Sequence, residues 1–250
     1  MRQLSTKETQ DRLLEMAKAI ADILDRQQVR YFMGFGTLLG AVRHHGFIPW
    51  DDDFDMHILD EDYSRAMTAL RTELPEDLFL EDAESEPLYF HAWAHVKDLH
   101  TVAHCDLFPQ DNVYEHKGIS IDLYRLTPVK DTDIPTFRAK ENLRYQRRKY
   151  EKSIISEEEY DEQEDTITLQ LKDLAAEKQE TGKDALADLI KACPLYPEEI
   201  FPLKKYRFED TEFWGPVDAD AYLTKFYGNY MELPPEDQRH AHYDSVVTTE

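Results

Sequence analysis

An α+β fold is what this sequence predicts, a mixed β-sheet core flanked by helices with a helical C-terminal portion. Three observations predict it: a capped amphipathic helix opens the chain, short β-type runs alternate with helical ones to about residue 128, and the chain beyond turns polar with helical spacing. Ser5-Thr6-Lys7-Glu8 has the form of a capping box, and Leu13, Met16, Ala17, Ile20, Ile23 and Leu24 recur behind it on one helical face. Val29 to Met33 is a short β-type run stopped at Gly34, and Gly36 opens a second helical stretch from Thr37 to Arg43.

After a loop with Gly46 and Pro49, Asp53 to Ile58 alternates polar and apolar residues. As a strand, that run puts Asp53, Asp55 and His57 on one face and turns Phe54, Met56 and Ile58 to the core. Tyr63, Ala66, Met67 and Leu70 support a helix from Asp60 to Leu74, ended by Pro75. β-like runs follow at Leu78 to Leu80, Trp93 to Asp98, Thr101 to His104 and Ile119 to Tyr124. In the last, Ser120, Asp122 and Tyr124 share the face opposite Ile119, Ile121 and Leu123. From Thr136 to Lys191 a helical pair is expected, basic from Arg138 to Lys152 and acidic from Glu157 to Asp165. Pro-punctuated segments close the chain, one from Pro194 to Trp214 and one from Asp218 that reads as a helix ending at Gly228. No internal repeat is visible.

The 250 residues carry 29 basic and 52 acidic side chains, a net charge of −23. That surplus argues against a general affinity for nucleic acid or anionic lipid, which need clustered cations. No run approaches the ~20 apolar residues of a membrane span, and residues 2–25 carry charges where a signal peptide needs an apolar stretch. Cys105 and Cys193 offer no disulfide framework and no CxxC. The expected address is cytoplasmic, without a transmembrane segment; the basic block leaves peripheral membrane proximity open, against the simpler reading of a solvated helix neutralised by the acidic block.

Chemistry concentrates at Asp51-Asp52-Asp53-Phe54-Asp55. Carboxylates at i and i+2 on a strand project side by side, and such oxygen ligands suit Mg²⁺ or Mn²⁺, hard cations that bridge to substrate phosphates. A solvated acidic strand face is the plain alternative. Favouring the metal are the Gly36-Thr37 turn at a helix start, able to offer backbone N–H groups to phosphate, and a third carboxylate, Asp122, on another strand. His91, His95, His100, His104 and Cys105 could suggest zinc but read better as structural or rim residues; Trp50, Trp93 and Tyr31 read as packing.

The stretch Gly34 to Asp55, GFGTLLGAVRHHGFIPWDDDFD, resembles the signature of the LicD family, which includes bacterial phosphocholine transferases and is related to fukutin and fukutin-related protein. Lys97 to Thr101, Gly118 to Leu123 and Tyr227 to Pro235, with Arg239 and His240, resemble further family blocks in their usual order. The resemblance implies a nucleotidyltransferase-like mixed sheet in a single domain over residues 1–250, with a core at 1–128 and a mostly helical extension at 129–250. It implies a phosphotransferase: a phosphorylated alcohol, phosphocholine or ribitol phosphate, moves from a CDP-linked donor to a hydroxyl of a glycan or lipid-linked glycan, releasing CMP.

By the same resemblance Gly36 and Thr37 match the phosphate turn, Asp53 and Asp55 the metal pair, and Asp122 the third acid, a proton acceptor or a shared metal ligand. A diphosphate entering so acidic a protein also needs local cations, for which Arg43 and Lys97 are the candidates. Two positions depart from the family pattern: Asn229 stands at a usually acidic position, and Tyr124-Arg125 replaces an aromatic-Pro pair after Asp122. An NTP-dependent nucleotidyltransferase with a small acceptor, or a non-catalytic nucleotide- or glycan-binding module, are the alternative readings.

Overall fold

The computed structural model describes residues 1–106, 109–177, 181–191 and 193–249. After a short strand β1 (Arg2–Gln3), helix α1 (Thr6–Arg26) starts at the expected capping box: the Ser5 hydroxyl accepts the Glu8 N–H, and the Glu8 carboxylate accepts the Ser5 N–H at 2.8 Å. Its stripe of Leu13, Ala17, Ile20 and Leu24 is fully buried. Burying a large aliphatic side chain stabilises by about 1.5–3 kcal/mol, so this stripe anchors the helix on the sheet.

The next elements are β2 (Tyr31–Met33), α2 (Phe35–His44), β3 (Asp55–Leu59), α3 (Asp60–Glu73), β4 (Leu78–Glu81), β5 (Ala94–Asp98), β6 (Thr101–His104) and β7 (Ser120–Lys130). β7 runs six residues past the expected end at Tyr124. Beyond it come α4 (Ile134–Glu151), α5 (Glu157–Ala176), β8 (Asp184–Ala187), α6 (Pro197–Ile200), the hairpin β9 (Lys204–Phe208) and β10 (Thr211–Gly215), α7 (Ala219–Tyr227) and β11 (Ser245–Thr248). The expected helical stretch to Lys191 is therefore corrected at its end, because β8 pairs with the far half of β7, Thr127 opposite Ala187. Four residues are too few for a period to show, and their burial is set by the partner strand.

The central sheet has the order β2-β3-β7-β5-β4, with β8 joined to β7. β3 and β7 are parallel; the other pairs are antiparallel. A smaller sheet, β1-β11-β6, ties the N-terminus, the C-terminal segment and β6 together. Phe47, Phe54, Phe208 and Phe213 pack edge to face with ring centroids 4.8–6.2 Å apart, which pins the β9–β10 hairpin beneath the acidic loop. Phe54 thus faces the core as expected.

Two expectations about exposed faces are corrected. His57 is fully buried, because α7 covers the strand face that alternation alone left open: the Tyr222 hydroxyl lies 3.0 Å from His57 Nε2. The basic block is not neutralised chiefly by the acidic one. Arg138, Arg148 and Lys152 donate to the carbonyls of Ile190, Phe90 and Pro87, Arg144 pairs with Glu141, and Arg147 reaches Glu164 at 4.0 Å.

Candidate active site

A cleft of about 650 Å³ opens where the acidic loop, β3, β5, β7 and the C-terminal segment meet. The parallel register makes Asp55 the direct partner of Asp122, and the Asp122 N–H donates to the Phe54 carbonyl at 3.1 Å. Both carboxylates line the cleft, and Asp53 joins them from the loop just before β3 rather than from the strand itself. Burial, together with the charges of Asp53 and Asp122, pushes the Asp55 carboxyl well up from its ordinary value; burial and the neighbouring Asp51 do the same to Asp53. Asp53 Oδ1 is buried with no hydrogen-bond partner.

The C-terminal segment supplies a residue that sequence reasoning missed. His242 places Nδ1 3.4 Å from both Asp51 and Asp53, and hydrogen bonding to Asp51 with the surrounding negative charge raises its imidazole to about 9. Asp52 is buried beneath and accepts the backbone N–H groups of His242 and Tyr243 at 2.6 and 3.4 Å. Asp52 thereby fastens residues 242–243 over the loop. Nothing in the local sequence joins positions 190 residues apart; only the expected pairing need of a buried acid could have suggested it.

Gly36 lines the cleft, and a Cβ there would stand 3.1 Å from Asp51 Oδ2, so any side chain at this turn would have to push the acid back by a few tenths of an ångström. Thr37 is buried behind it; its Oγ1 accepts the Asp55 N–H at 2.8 Å and fixes the start of β3. Lys97 lines the cleft with Nζ 4.0 Å from Glu81, a fully buried acid that burial pushes up to about 7. Arg43 is not among the cleft residues: it donates to the Tyr230 carbonyl at 2.7 Å and to that of Glu232 at 3.4 Å, holding the closing block against α2.

Further residues gather around Asp122. The Tyr124 hydroxyl donates to Asp122 Oδ2 at 2.9 Å, while Arg125, at the position where the family pattern has proline, pairs with Asp60. His95 Nε2 lies 3.6 Å from Asp122 and its Nδ1 3.3 Å from Glu81; burial lowers this histidine to about 3, which keeps it neutral. Trp93, expected in the core, is half-buried on the cleft wall with its ring 5.2 Å from that of Tyr124.

An oxygen-only donor set with an unpaired buried carboxylate oxygen suits a hard divalent cation. Among the described residues, the acid and histidine groups whose ligand atoms all lie within 4.8 Å are Asp51, Asp52 with His242, and His104, Asp106 with Asp244; Asp53, Asp55 and Asp122 are more open than that. Also among the described residues, no helix is long and apolar enough to cross a membrane.

Comparison with known proteins matches residues 28–155 to the family model described as LicD/FKTN/FKRP, nucleotidyltransferase domain. The lipopolysaccharide cholinephosphotransferase LicD of Haemophilus influenzae is 28% identical over 265 aligned positions, covering 97% of each chain. The ribitol 5-phosphate transferase FKRP of Homo sapiens is 46% identical over 50 residues, 20% of this chain and 10% of that protein.

Proposed function

This chain belongs to the LicD/FKTN/FKRP nucleotidyltransferase family and is a LicD-type phosphotransferase; from there we propose that it moves a phosphorylated alcohol from a CDP-linked donor to a hydroxyl of a cell-surface glycan precursor. Phosphocholine is the first candidate, favoured by the full-length likeness to a cholinephosphotransferase, and ribitol phosphate the second. The acceptor oxygen attacks the phosphorus that carries the alcohol, the diphosphate P–O–P bond breaks, and CMP leaves.

The observation that carries this reading is the side-by-side placement of Asp55 and Asp122 on parallel strands, with Asp53 beside them and the Gly36 turn over the same cleft. In it Asp53 and Asp55 hold Mg²⁺ or Mn²⁺, which supplies charge neutralisation for the diphosphate when bound. Asp122 accepts the proton of the attacking hydroxyl or shares the metal, held in orientation by Tyr124. Lys97 faces the donor phosphates. Thr37 and Arg43 act through the frame they hold, the one fixing Asp55 and the other the closing block. A cytoplasmic setting belongs to the same proposal, and the two free cysteines accord with a reducing compartment.

The test is release of CMP from CDP-choline by the wild type and by the Asp53→Ala, Asp55→Ala double variant. The reading expects a loss on the order of a thousandfold or more. Undiminished turnover, or pyrophosphate release from an NTP in place of CMP release, overturns it.

A further inference from the structure

Beside the cleft, a second cavity of about 580 Å³ lies between α4, α5 and the chain after β8, and the two share Trp93, Tyr145 and Ile190 as lining. A third, of about 870 Å³, shares Ala92, Glu141 and Leu189 with the second. The three are neighbours that share wall residues in series, from the α4–α5 surface to the cleft of the carboxylates.

Two N–H donors on the middle cavity, Trp93 Nε1 and Arg138 Nε, are buried without a hydrogen-bond partner. Leaving such a donor unsatisfied costs about 1–3 kcal/mol, and buried polar groups in native proteins are ordinarily paired. Neither is an accident of a loose side chain: Arg138 is tethered by its Nη2 to the Ile190 carbonyl at 2.9 Å, and the Trp93 ring sits against His91 and Tyr124 with centroids 4.7 and 5.2 Å away. Both are closed off from solvent in the free chain, so a ligand's acceptor oxygens reach them through a small shift of the cavity wall.

The rest of the lining narrows the chemistry. Trp93 and Tyr145 bring flat rings to the wall, Asn142 and Gln170 bring neutral amides, and the carboxylate of Glu141 is already engaged by Arg144. Aromatic faces take the C–H face of a ring, and fixed N–H and amide groups take hydroxyls. A lipid tail would bury the amides without partners. A cyclic polyol gives hydroxyls to the amides and the N–H donors, and its C–H face suits the apolar wall of Ala92, Ala139, Leu189 and Ile190.

We propose that this cavity, marked by Trp93, Arg138, Tyr145 and Gln170, is a saccharide subsite that seats the acceptor sugar. Its role as the acceptor's seat rests on the function proposed above; the binding of saccharide does not. Position supports the role: a sugar on Trp93 stands one aromatic ring from Tyr124, whose hydroxyl is bonded to Asp122.

The experiment is an NMR titration of the full chain, without donor or metal, following the three indole N–H signals, with that of Trp93 assigned by its loss in Trp93→Phe. The probes are glucose, galactose, N-acetylglucosamine and N-acetylgalactosamine, with glycerol as the acyclic control. At least one sugar moves the Trp93 signal saturably while Trp50 and Trp214 stay still, and Asn142→Trp, an exposed position at the cavity, weakens that binding ~tenfold or more while still melting cooperatively. No shift with any sugar, equal shifts at all three indoles, the same response to glycerol, or a response untouched by Asn142→Trp overturns the subsite. Because no donor is present, this outcome is read independently of CMP release: the subsite can fail with the phosphotransferase intact, and the reverse.

Discussion

Asp55 on β3 and Asp122 on β7 are direct partners across a parallel strand pair, so that two carboxylates share one strand face with Asp53 at its edge. Like charges this close oppose folding, and burial adds to the cost of ionising Asp55. Asp55→Asn is therefore expected to trade activity for stability. Without divalent cation, the variant should melt above the wild type, by ~2–4 °C for each 1 kcal/mol of relieved repulsion in a chain of this size. CMP release should fall on the order of a thousandfold. A variant that melts several degrees lower would mean that Asp55 is a structural acid.

Tyr222 joins the last helix to the turn that frames the cleft. Its hydroxyl accepts the Phe35 N–H at 3.1 Å and lies 3.0 Å from His57 Nε2, and Phe35 carries a positive φ of 38° at the start of α2. Such a backbone needs external support. Tyr222→Phe leaves both buried partners unsatisfied, and urea denaturation should register a loss of about 1–3 kcal/mol. The donor KM should rise along with it, because Gly36 follows the strained residue. A stability loss with unchanged KM would limit Tyr222 to packing.

Helices with a strong period were legible in the sequence: the capping box at Ser5 and the stripe of α1, the stop before Pro75 and the end of α7 at Gly228 all sit where spacing puts them. The alternation around Asp55 gave the core side of β3 through Phe54, Met56 and Ile58, but its other side depended on α7, more than 160 residues further on, which buries His57. Direction of long side chains was not legible. Arg43 stands in the signature stretch, yet its guanidinium is drawn to the carbonyls of Tyr230 and Glu232, and the imidazole beside Asp51 and Asp53 comes from a segment with no local pattern. Trp93 looked like core because a tryptophan in a β run usually is; the cavity beside it exists only once α4 and α5 pack.

Asp188 gives a pH dependence with a definite sign. It is fully buried at the end of β8, where its Oδ1 accepts the N–H groups of Ile190 and Lys191 and its Oδ2 has no partner. Burial raises its carboxyl from 3.8 to about 6. Between about pH 4 and about pH 6 the folded chain thus holds a proton that the unfolded chain has released. This group's stabilisation is present in acid and lost as pH rises through that window, then level above it. Asp188→Asn keeps the acceptor and removes the titration. The variant should gain on the wild type across the window by at most about 3 kcal/mol. Urea midpoints for the two proteins that run parallel from acid to neutral pH would contradict this.

Divalent cation gives the sharpest separation between an acidic surface and a built site. With a net charge of −23, any Mg²⁺ will gather near this chain, so a bare thermal shift proves little unless ionic strength is matched with NaCl. Specific binding to the folded state adds a stabilisation that grows with the logarithm of cation concentration, about 2.7 kcal/mol at a hundred times Kd. Asp53→Asn and Asp55→Asn should each abolish the matched-salt shift, since Asp53 has the unpaired oxygen and Asp55 faces Asp122. Asp244→Asn, in the exposed group with His104 and Asp106, should leave it in place. Were Asp244→Asn to remove the shift and Asp53→Asn to retain it, the cation would sit on the surface, and the cleft carboxylates would have to work through His242 and Lys97 alone.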